Sequence, residues 1–554
     1  MTTTWQTQDG RADMTNFEMD LFDTKINSYA VEKEESEQCC QHSIIKPACV
    51  PVSIISLFIF LIVFFPLFNE DGFDTTSVRY DRNVQLVETI PSVLIFDNSN
   101  ITSFSTYQVW KQLLDEAQLS IHIASFYWNL RDSPTSWQFI NYLTMQRYPS
   151  NPSDLENNFL AVPLQNLMNG NDIFKRFIAT AERGVQLTQE PKNTVRRIKV
   201  HLDDMHWLQF LAFVCSLYSI INLSLVLIQI AQNQPTATFP QLDSYYFSEH
   251  GYATVRNLDM PKLIDDNGIL HAKFWIVDSQ HVYIGSANMD WKSLTEVKEL
   301  GVIVWNCTCI ANDLYKIFNV YWRLGVRGAE IPYKWPLNLR TYFNFSHPLK
   351  LLNVKDASIF ISSSPRLFNA KGREDDGDAI VAAMDNAHEF VHISVMDYVP
   401  ATLYRTNNNI YWPKLDNAIR ATAYRGVNVR LLVSHWKYSL LGMIHFLKSL
   451  LEINDGMPRI ANHSGRIEVK LFTIPSHEEI PHTLVNHNKY MVTEKIAYFG
   501  TSNWAGDYFI SSAGVGISFI SPTLVNSLNA IFMRDWTSKY AKTIREFSLD
   551  EFLI

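Results

Sequence analysis

The chain has 554 residues, 47% of them hydrophobic, with a formal net charge of −9. That length excludes a single small domain, and the composition supports a sizeable buried core. The acidic balance excludes a molecule-wide basic field, so an anionic ligand has to be held by a local cluster of positive groups.

Residues 1–47 are polar, carry an acidic run from Glu32 to Glu37, and read as a cytoplasmic tail. Ala48 to Phe68 has no charge and contains VSIISLFIFLIVFF, matching the ~20 apolar residues that cross a bilayer. Lys46 precedes it and Glu70 and Asp71 follow, which favours a cytoplasmic N-terminal side. The long polar preface distinguishes the run from a cleaved signal peptide. The expectation is a single-pass type II membrane protein, with a transmembrane helix over 48–68, a luminal linker over 69–84 and a luminal body. Asn-x-Ser/Thr sequons at Asn100, Asn222, Asn306, Asn344 and Asn462 all follow the span, and Asn100, Asn306, Asn344 and Asn462 are candidate glycosylation sites. Of the cysteines, only Cys215, Cys307 and Cys309 fall in the body, so no disulfide framework is evident.

The body is duplicated. AQLSIHIASFYW (Ala117 to Trp128) parallels AHEFVHISVMDY (Ala387 to Tyr398), each a helix end feeding an apolar strand. ATAERGV (Ala179 to Val185) parallels ATAYRGV (Ala421 to Val427), each read as a helix stopped at Gly before a strand. HAKFWIVDSQHVYIGSAN (His271 to Asn288) parallels HNKYMVTEKIAYFGTSN (His487 to Asn503). Strand, helix, strand and motif strand in this order predict an α/β fold: two pseudo-twofold-related halves, over about 85–340 and 350–545, each a mixed sheet flanked by helices. The offsets between the paired segments shrink along the chain, so the first half holds extra residues. Trp207 to Ala231 is free of charge and is read as an atypical apolar insertion at about 205–235. A second span there would put Ile121 and His271 on opposite sides of a membrane.

The alternation in HAKFWIVD puts His271 and Lys273 on one strand face, and the same holds for His487 and Lys489. If the halves pack with these faces together, one pocket holds two imidazoles, two ammonium groups and the amides of Asn288 and Asn503, with Ser286 and Ser502 nearby. Such a set suits the oxygens of a phosphodiester without a metal or other cofactor. One neutral imidazole attacks phosphorus and the other, protonated, serves the leaving alkoxide. Asp278 and Glu494 lie an odd number of residues from their His and are expected behind the pocket, orienting strand and loop. Phe126, Tyr127, Trp128, Trp291, Tyr398, Trp504 and Tyr508 recur around the motifs, as core residues or as base-stacking surfaces.

The doubled His-x-Lys-x4-Asp with a following Gly-Ser-x-Asn resembles the phospholipase D superfamily. His271, Lys273 and Asp278 fit the first copy, with Gly285, Ser286 and Asn288 behind. His487 and Lys489 fit the second, with Glu494 in the Asp place and Gly500, Thr501, Ser502 and Asn503 behind. ASFYW, GSANMDWKSLTEVKELGV and VNHNKYMVTEKIAYFGTSNWAGDYF look like its type II, glycosylated, lysosomal branch, phospholipases D3 and D4. The resemblance implies phospholipase-D-like halves with the active site between them. It also implies an acid 5′ exonuclease acting on single-stranded nucleic acid ends, reached through the endoplasmic reticulum and Golgi to the endosome and lysosome lumen. The alternative it implies is a phospholipid phosphodiesterase or transphosphatidylase making bis(monoacylglycero)phosphate. A non-catalytic endomembrane interaction protein is the third reading, and a homodimer is compatible with all three. Cys307 and Cys309 match paired cysteines of that branch, but the partners expected just after the span are absent from TTSVRYDRNV.

Overall fold

A computed structural model describes residues 84–96, 101, 103–131, 161–186, 226–264, 266–351, 357–405, 408–459, 464–475, 480 and 482–547. The tail, the apolar run Ala48 to Phe68, most of the linker, the segment 187–225 and the sequons at Asn100, Asn222 and Asn462 lie outside the described residues. Among the described residues, no helix is long and apolar enough to cross a membrane.

Residues from Thr75 onward form one compact unit containing two large sheets. The first runs, edge to edge, Phe104–Ser105, Val84–Thr89, Glu299–Val304, His281–Gly285, Phe274–Val277, Ser120–Ser125, Leu227–Asn233 and Thr254–Leu258. The second runs Leu349–Lys350, Ser358–Ser364, Gly514–Ile520, Ile496–Gly500, Lys489–Thr493, Phe390–Val395, Asn428–Ser434, Arg466–Phe472 and Ala541–Thr543. From Val84–Thr89 and Ser358–Ser364 onward the two orders match strand for strand. Parallel pairing joins Ser120–Ser125, Leu227–Asn233 and Thr254–Leu258 in the first sheet and Phe390–Val395, Asn428–Ser434 and Arg466–Phe472 in the second.

Two sequence readings change here. Leu227–Asn233 is a paired strand of the first sheet, so the insertion read at about 205–235 is too long: its last third is the counterpart of Asn428–Ser434. The strand LIQIAQN carries no charge, which is why it merged with the uncharged run before it. The first ATAERGV segment is also not a helix stop. The helix Ala161–Gln186 continues through Gly184, whereas its counterpart Lys414–Tyr424 ends before Gly426, whose φ is +98°.

Strand alternation divides the cores. Phe274 and Ile276 face inward to a core shared by both sheets and by the helices Thr308–Leu324 and Pro522–Thr537. Trp275 and Val277 face outward, beneath the helices Thr106–Glu116 and Ala161–Gln186. On the far side, Met491 and Tyr498 face the outer helices Asp376–Asp385, Lys414–Tyr424 and Leu441–Glu452. Each fully buried Phe or Ile side chain contributes about 1.5–3 kcal/mol, so the shared core joins the halves strongly.

A charged cluster is sealed into the same junction. Lys298 Nζ lies 2.9 Å from Glu88 Oε1 and 2.9 Å from Asp535 Oδ2. Arg534 bonds both carboxylates as well. The Lys298, Glu88 and Asp535 side chains are all 0% exposed. Burial pushes the Glu88 carboxyl up, but Lys298 and Arg534 outweigh it and hold it at about 2. A depressed carboxylate contributes stability above its unfolded pKa and loses it only as pH falls towards the folded value. Glu88 therefore still supports the fold at pH 5. Replacing Lys298 by Met leaves Arg534 alone to neutralise two buried carboxylates, which costs about 3–5 kcal/mol. Calorimetry of Lys298→Met is expected to show an unfolding midpoint lower by several degrees at pH 5, and an unchanged midpoint contradicts this role.

Candidate active site

The pocket is built where the halves exchange backbone bonds. Leu270 pairs in parallel with Ala513, and Lys298 with Asn486. The His271 amide donates to Ala513 O at 2.8 Å, and the His487 amide donates to Lys298 O at 2.8 Å. Each motif histidine is thus positioned by the opposite half. Lys273 Nζ donates to His271 O at 2.7 Å and Lys489 Nζ to His487 O at 2.8 Å. All four residues are buried.

Electrostatics show that the four side chains meet. Burial, then Lys273, Lys489 and His487, hold His271 well below the usual imidazole range. Burial and Lys489 depress Lys273 against the pull of Glu299. Burial brings Lys489 down to about 7 against Glu299 and Asp397. Burial also brings His487 down to about 4, with Glu299 opposing and Lys489 and Lys273 assisting. Each positive form is penalised by desolvation, and those of His271, Lys273 and His487 by neighbouring cations as well, so the pocket favours an anion.

The histidines differ in support. His487 Nδ1 bonds Glu299 Oε2 at 2.9 Å and Oε1 at 3.1 Å. Glu299 is itself held by Ser286 Oγ at 2.5 Å and Ser293 Oγ at 2.8 Å. Burial raises the Glu299 carboxyl, but His487, Lys489 and Ser286 keep it below the ordinary value. A neutral His487 with its proton on Nδ1 presents Nε2 to the pocket. The matching place in the other half is Gly514, since Gly301 faces Gly285 and Gly516 faces Gly500. A Cβ there would lie 2.2 Å from Ser502 Oγ, so any side chain would require that hydroxyl to move. Among the described residues His271 has no carboxylate partner. Its ring packs on Tyr508 at 4.9 Å and Phe126 at 5.5 Å, with the Thr501 carbonyl beside it but no normal hydrogen bond at Nδ1.

The other sequence-selected residues sort by position. Asn503 Nδ2 donates to Asp397 Oδ2 at 2.9 Å and to Tyr508 OH at 3.2 Å. The Oδ1 atoms of Asn288 and Asn503 are buried without partners. Ser286 does not front the pocket: its hydroxyl is committed to Glu299 and Leu300 O. Its counterpart is Thr501, which bonds the Val515 amide, whereas the Ser502 hydroxyl is buried without a partner. Asp278 and Glu494 stand outside the pocket. Asp278 accepts from the amides of Gln118, Leu119 and Ser120 at 2.7–2.9 Å, and Glu494 accepts from those of His388, Glu389 and Phe390 at 2.8–3.4 Å. Each carboxylate fastens the loop entering the neighbouring strand. Trp128, Trp291, Tyr398, Trp504 and Tyr508 are buried core residues, while Phe126 and Tyr127 are half-buried. Asn306 is exposed and Asn344 half-buried. Cys307 is buried, and both it and Cys309 are free thiols.

Sequence reasoning missed Glu299, Ser293 and Asp397. Burial lifts the Asp397 carboxyl to about 6 against the pull of Lys489. The available signal for Glu299 was a carboxylate opening the otherwise apolar strand ELGVIV.

A family model described as PLD3/4, PLD-like domain matches residues 252–477, and one described as cardiolipin synthase, PLD-like domain matches residues 164–322. A Caenorhabditis elegans protein named as a phospholipase D is 42% identical over 97% of this chain and 89% of its own length. The 5′-3′ exonuclease PLD3 of Xenopus tropicalis is 37% identical over 90% of this chain and 91% of its own length. The human 5′-3′ exonuclease PLD3 is 37% identical over 82% of this chain and 79% of its own length. With its paired His-x-Lys motifs and these relatives, the chain belongs to the PLD3 branch of the phospholipase D superfamily and is a phosphodiesterase of that kind.

Proposed function

We propose that the protein is an acid 5′ exonuclease that degrades single-stranded DNA and RNA in the lysosome lumen, tethered by Ala48 to Phe68. The observation that carries the chemistry is the asymmetric support of the histidines. His271, with no carboxylate partner among the described residues, stays neutral and attacks phosphorus through a free ring nitrogen, forming an N–P bond as the P–O bond to the leaving oxygen breaks. His487 is the easier of the two to protonate, because Glu299 stabilises its imidazolium. It gives that proton to the departing alkoxide. Water then attacks the phosphohistidine, passes its proton to His487 and frees His271. Lys273, Lys489, Asn288 and Asn503 hold the non-bridging oxygens throughout. The exonuclease assignment follows the PLD3 relatives, whose similarity covers the second motif as well as the first. The phospholipase name of the nematode relative keeps lipid cleavage or transphosphatidylation as the second reading.

The full chain in detergent, offered 5′-ended single-stranded DNA and, separately, phosphatidylglycerol vesicles at pH 5, is expected to release nucleotides stepwise from the DNA end. Lys489→Ala should abolish that release. Turnover of the lipid with none of the DNA would instead establish the second reading.

The pH profile has a defined sign. Protonated His487 is required, so kcat/KM falls as pH rises above its free-enzyme pKa of about 4. The bound phosphodiester raises that pKa, so the kcat limb lies at higher pH. Glu299→Gln removes the charge that raises it, so both limbs should move to lower pH. Activity at pH 5 should drop about 10- to 100-fold, part of the ~10²–10⁴-fold that a positioned acid supplies. Movement to higher pH is the contrary result.

A further inference from the structure

Beside the His487 side of the pocket lies a half-exposed aromatic ledge. It is built by the loop that follows the strand Asn428–Ser434. Ser434 Oγ donates to Asn486 O, next to His487. Two residues on, Trp436 and Ser439 close a rigid turn, with Trp436 N donating to Ser439 Oγ at 3.0 Å and Ser439 N to Trp436 O at 2.9 Å. The turn presents Tyr438, which is 43% exposed. Its ring stacks on exposed His482, with centroids 4.7 Å apart and planes 21° apart. Trp436 stands edge-on behind both, 4.9 Å from Tyr438 and 6.2 Å from His482.

His482 holds φ +61°, a left-handed region uncommon outside glycine, although His is among the residues enriched there. Two residues later the Leu484 amide is tied to Glu296 O of the other half at 3.0 Å. The ledge also has positive edges. Lys437 Nζ is 6.0 Å from the Tyr438 ring centroid, and Lys292 is close enough to act on His482, as is Asp290. Asp290 in turn accepts from Tyr127 OH at 2.9 Å, and Tyr127 stacks on Phe239 at 4.5 Å and 29°. Phe126, against both Phe239 and His271, completes a second aromatic group on the His271 side. An aromatic group thus lies on the side of each histidine.

We infer that the Tyr438–His482 ledge is a nucleobase subsite, which stacks one base of a single strand whose phosphodiester lies between His271 and His487. The inference rests on the single-strand reading above. A base offers the flat face and ring edges that a parallel Tyr–His pair complements, and stacking tolerates any base. Lys437 suits a flanking phosphate, whereas Lys292 is paired with Asp290 at 3.5 Å. A fatty acyl chain takes a concave apolar groove, whereas this surface is flat and edged with polar atoms. The subsite also reconciles a net acidic chain with an anionic polymer: grip comes from stacking near one bond, not from a long basic groove.

The test compares wild type, Tyr438→Ala and Tyr438→Phe in the full chain. It uses single-stranded DNA, the small diester bis(p-nitrophenyl) phosphate, phosphatidylglycerol vesicles, and DNA strands with one abasic nucleotide moved stepwise from the 5′ end. Tyr438→Ala is expected to raise KM for DNA about tenfold, the effect of one lost stack, while leaving kcat and turnover of the small diester unchanged. Tyr438→Phe should restore KM. In wild type one abasic position should reproduce the defect, and in Tyr438→Ala that position should cost nothing further. An unchanged KM for DNA in Tyr438→Ala overturns the subsite while leaving the exonuclease reading intact. Loss confined to the lipid reassigns the ledge to lipid and overturns the inference. No DNA release by wild type overturns both.

Discussion

The structure depends on backbone pairing between the halves. Leu270 bonds along Ala513, and Asn486 along Lys298, so each motif strand begins as an extension of the other half's sheet. Neither half can place its own histidine: the amide of His271 is held at Ala513 and that of His487 at Lys298. Around this exchange lie the shared apolar core and the sealed Lys298–Glu88–Asp535–Arg534 cluster. Lys298 serves twice, since its side chain neutralises the buried carboxylates and its carbonyl orients His487. Packing, ion pairing and catalytic geometry thus converge on one residue next to Glu299.

That convergence explains how a near-symmetric scaffold carries an asymmetric reaction. A perfect twofold would give both imidazoles the same proton affinity, and acid and nucleophile would be indistinguishable. The strand Glu299–Val304 supplies a carboxylate to His487, while its counterpart begins at Gly514, which has no side chain. The difference lies in one position of a repeated strand, yet it acts on the residue where charge must change. The lysines, equivalent in sequence, are also unequal: Glu299 pulls on both, but Asp397 acts on Lys489 alone.

Much of this was legible in the sequence because duplication is a pattern on the chain itself. The two His-x-Lys pairs, the strands at Ile121 and Val391, and the outward position of Asp278 and Glu494 follow from repeat and alternation. Glu299 was not legible, because its partner His487 is 188 positions away on the other half and no local spacing links them. Asp397 was hidden because it aligns with Tyr127, a residue of different chemistry. Ser286 looked like a pocket residue until its hydroxyl was seen to hold Glu299. The strand Leu227–Asn233 was lost for a simpler reason: an uncharged run reads alike as a span, an insertion or a strand buried on both faces.

The central claim is that His271 is the nucleophile and His487 the Glu299-supported acid. The direct measurement is rapid-quench mass spectrometry with bis(p-nitrophenyl) phosphate, whose leaving group departs without a proton, stopped in alkali to preserve phosphohistidine. In His487→Asn, the account predicts a stoichiometric burst of nitrophenol and a phosphoryl adduct on His271 that persists, because no base activates water. In His271→Asn it predicts neither burst nor adduct. A burst in His271→Asn with the adduct on His487 would contradict it.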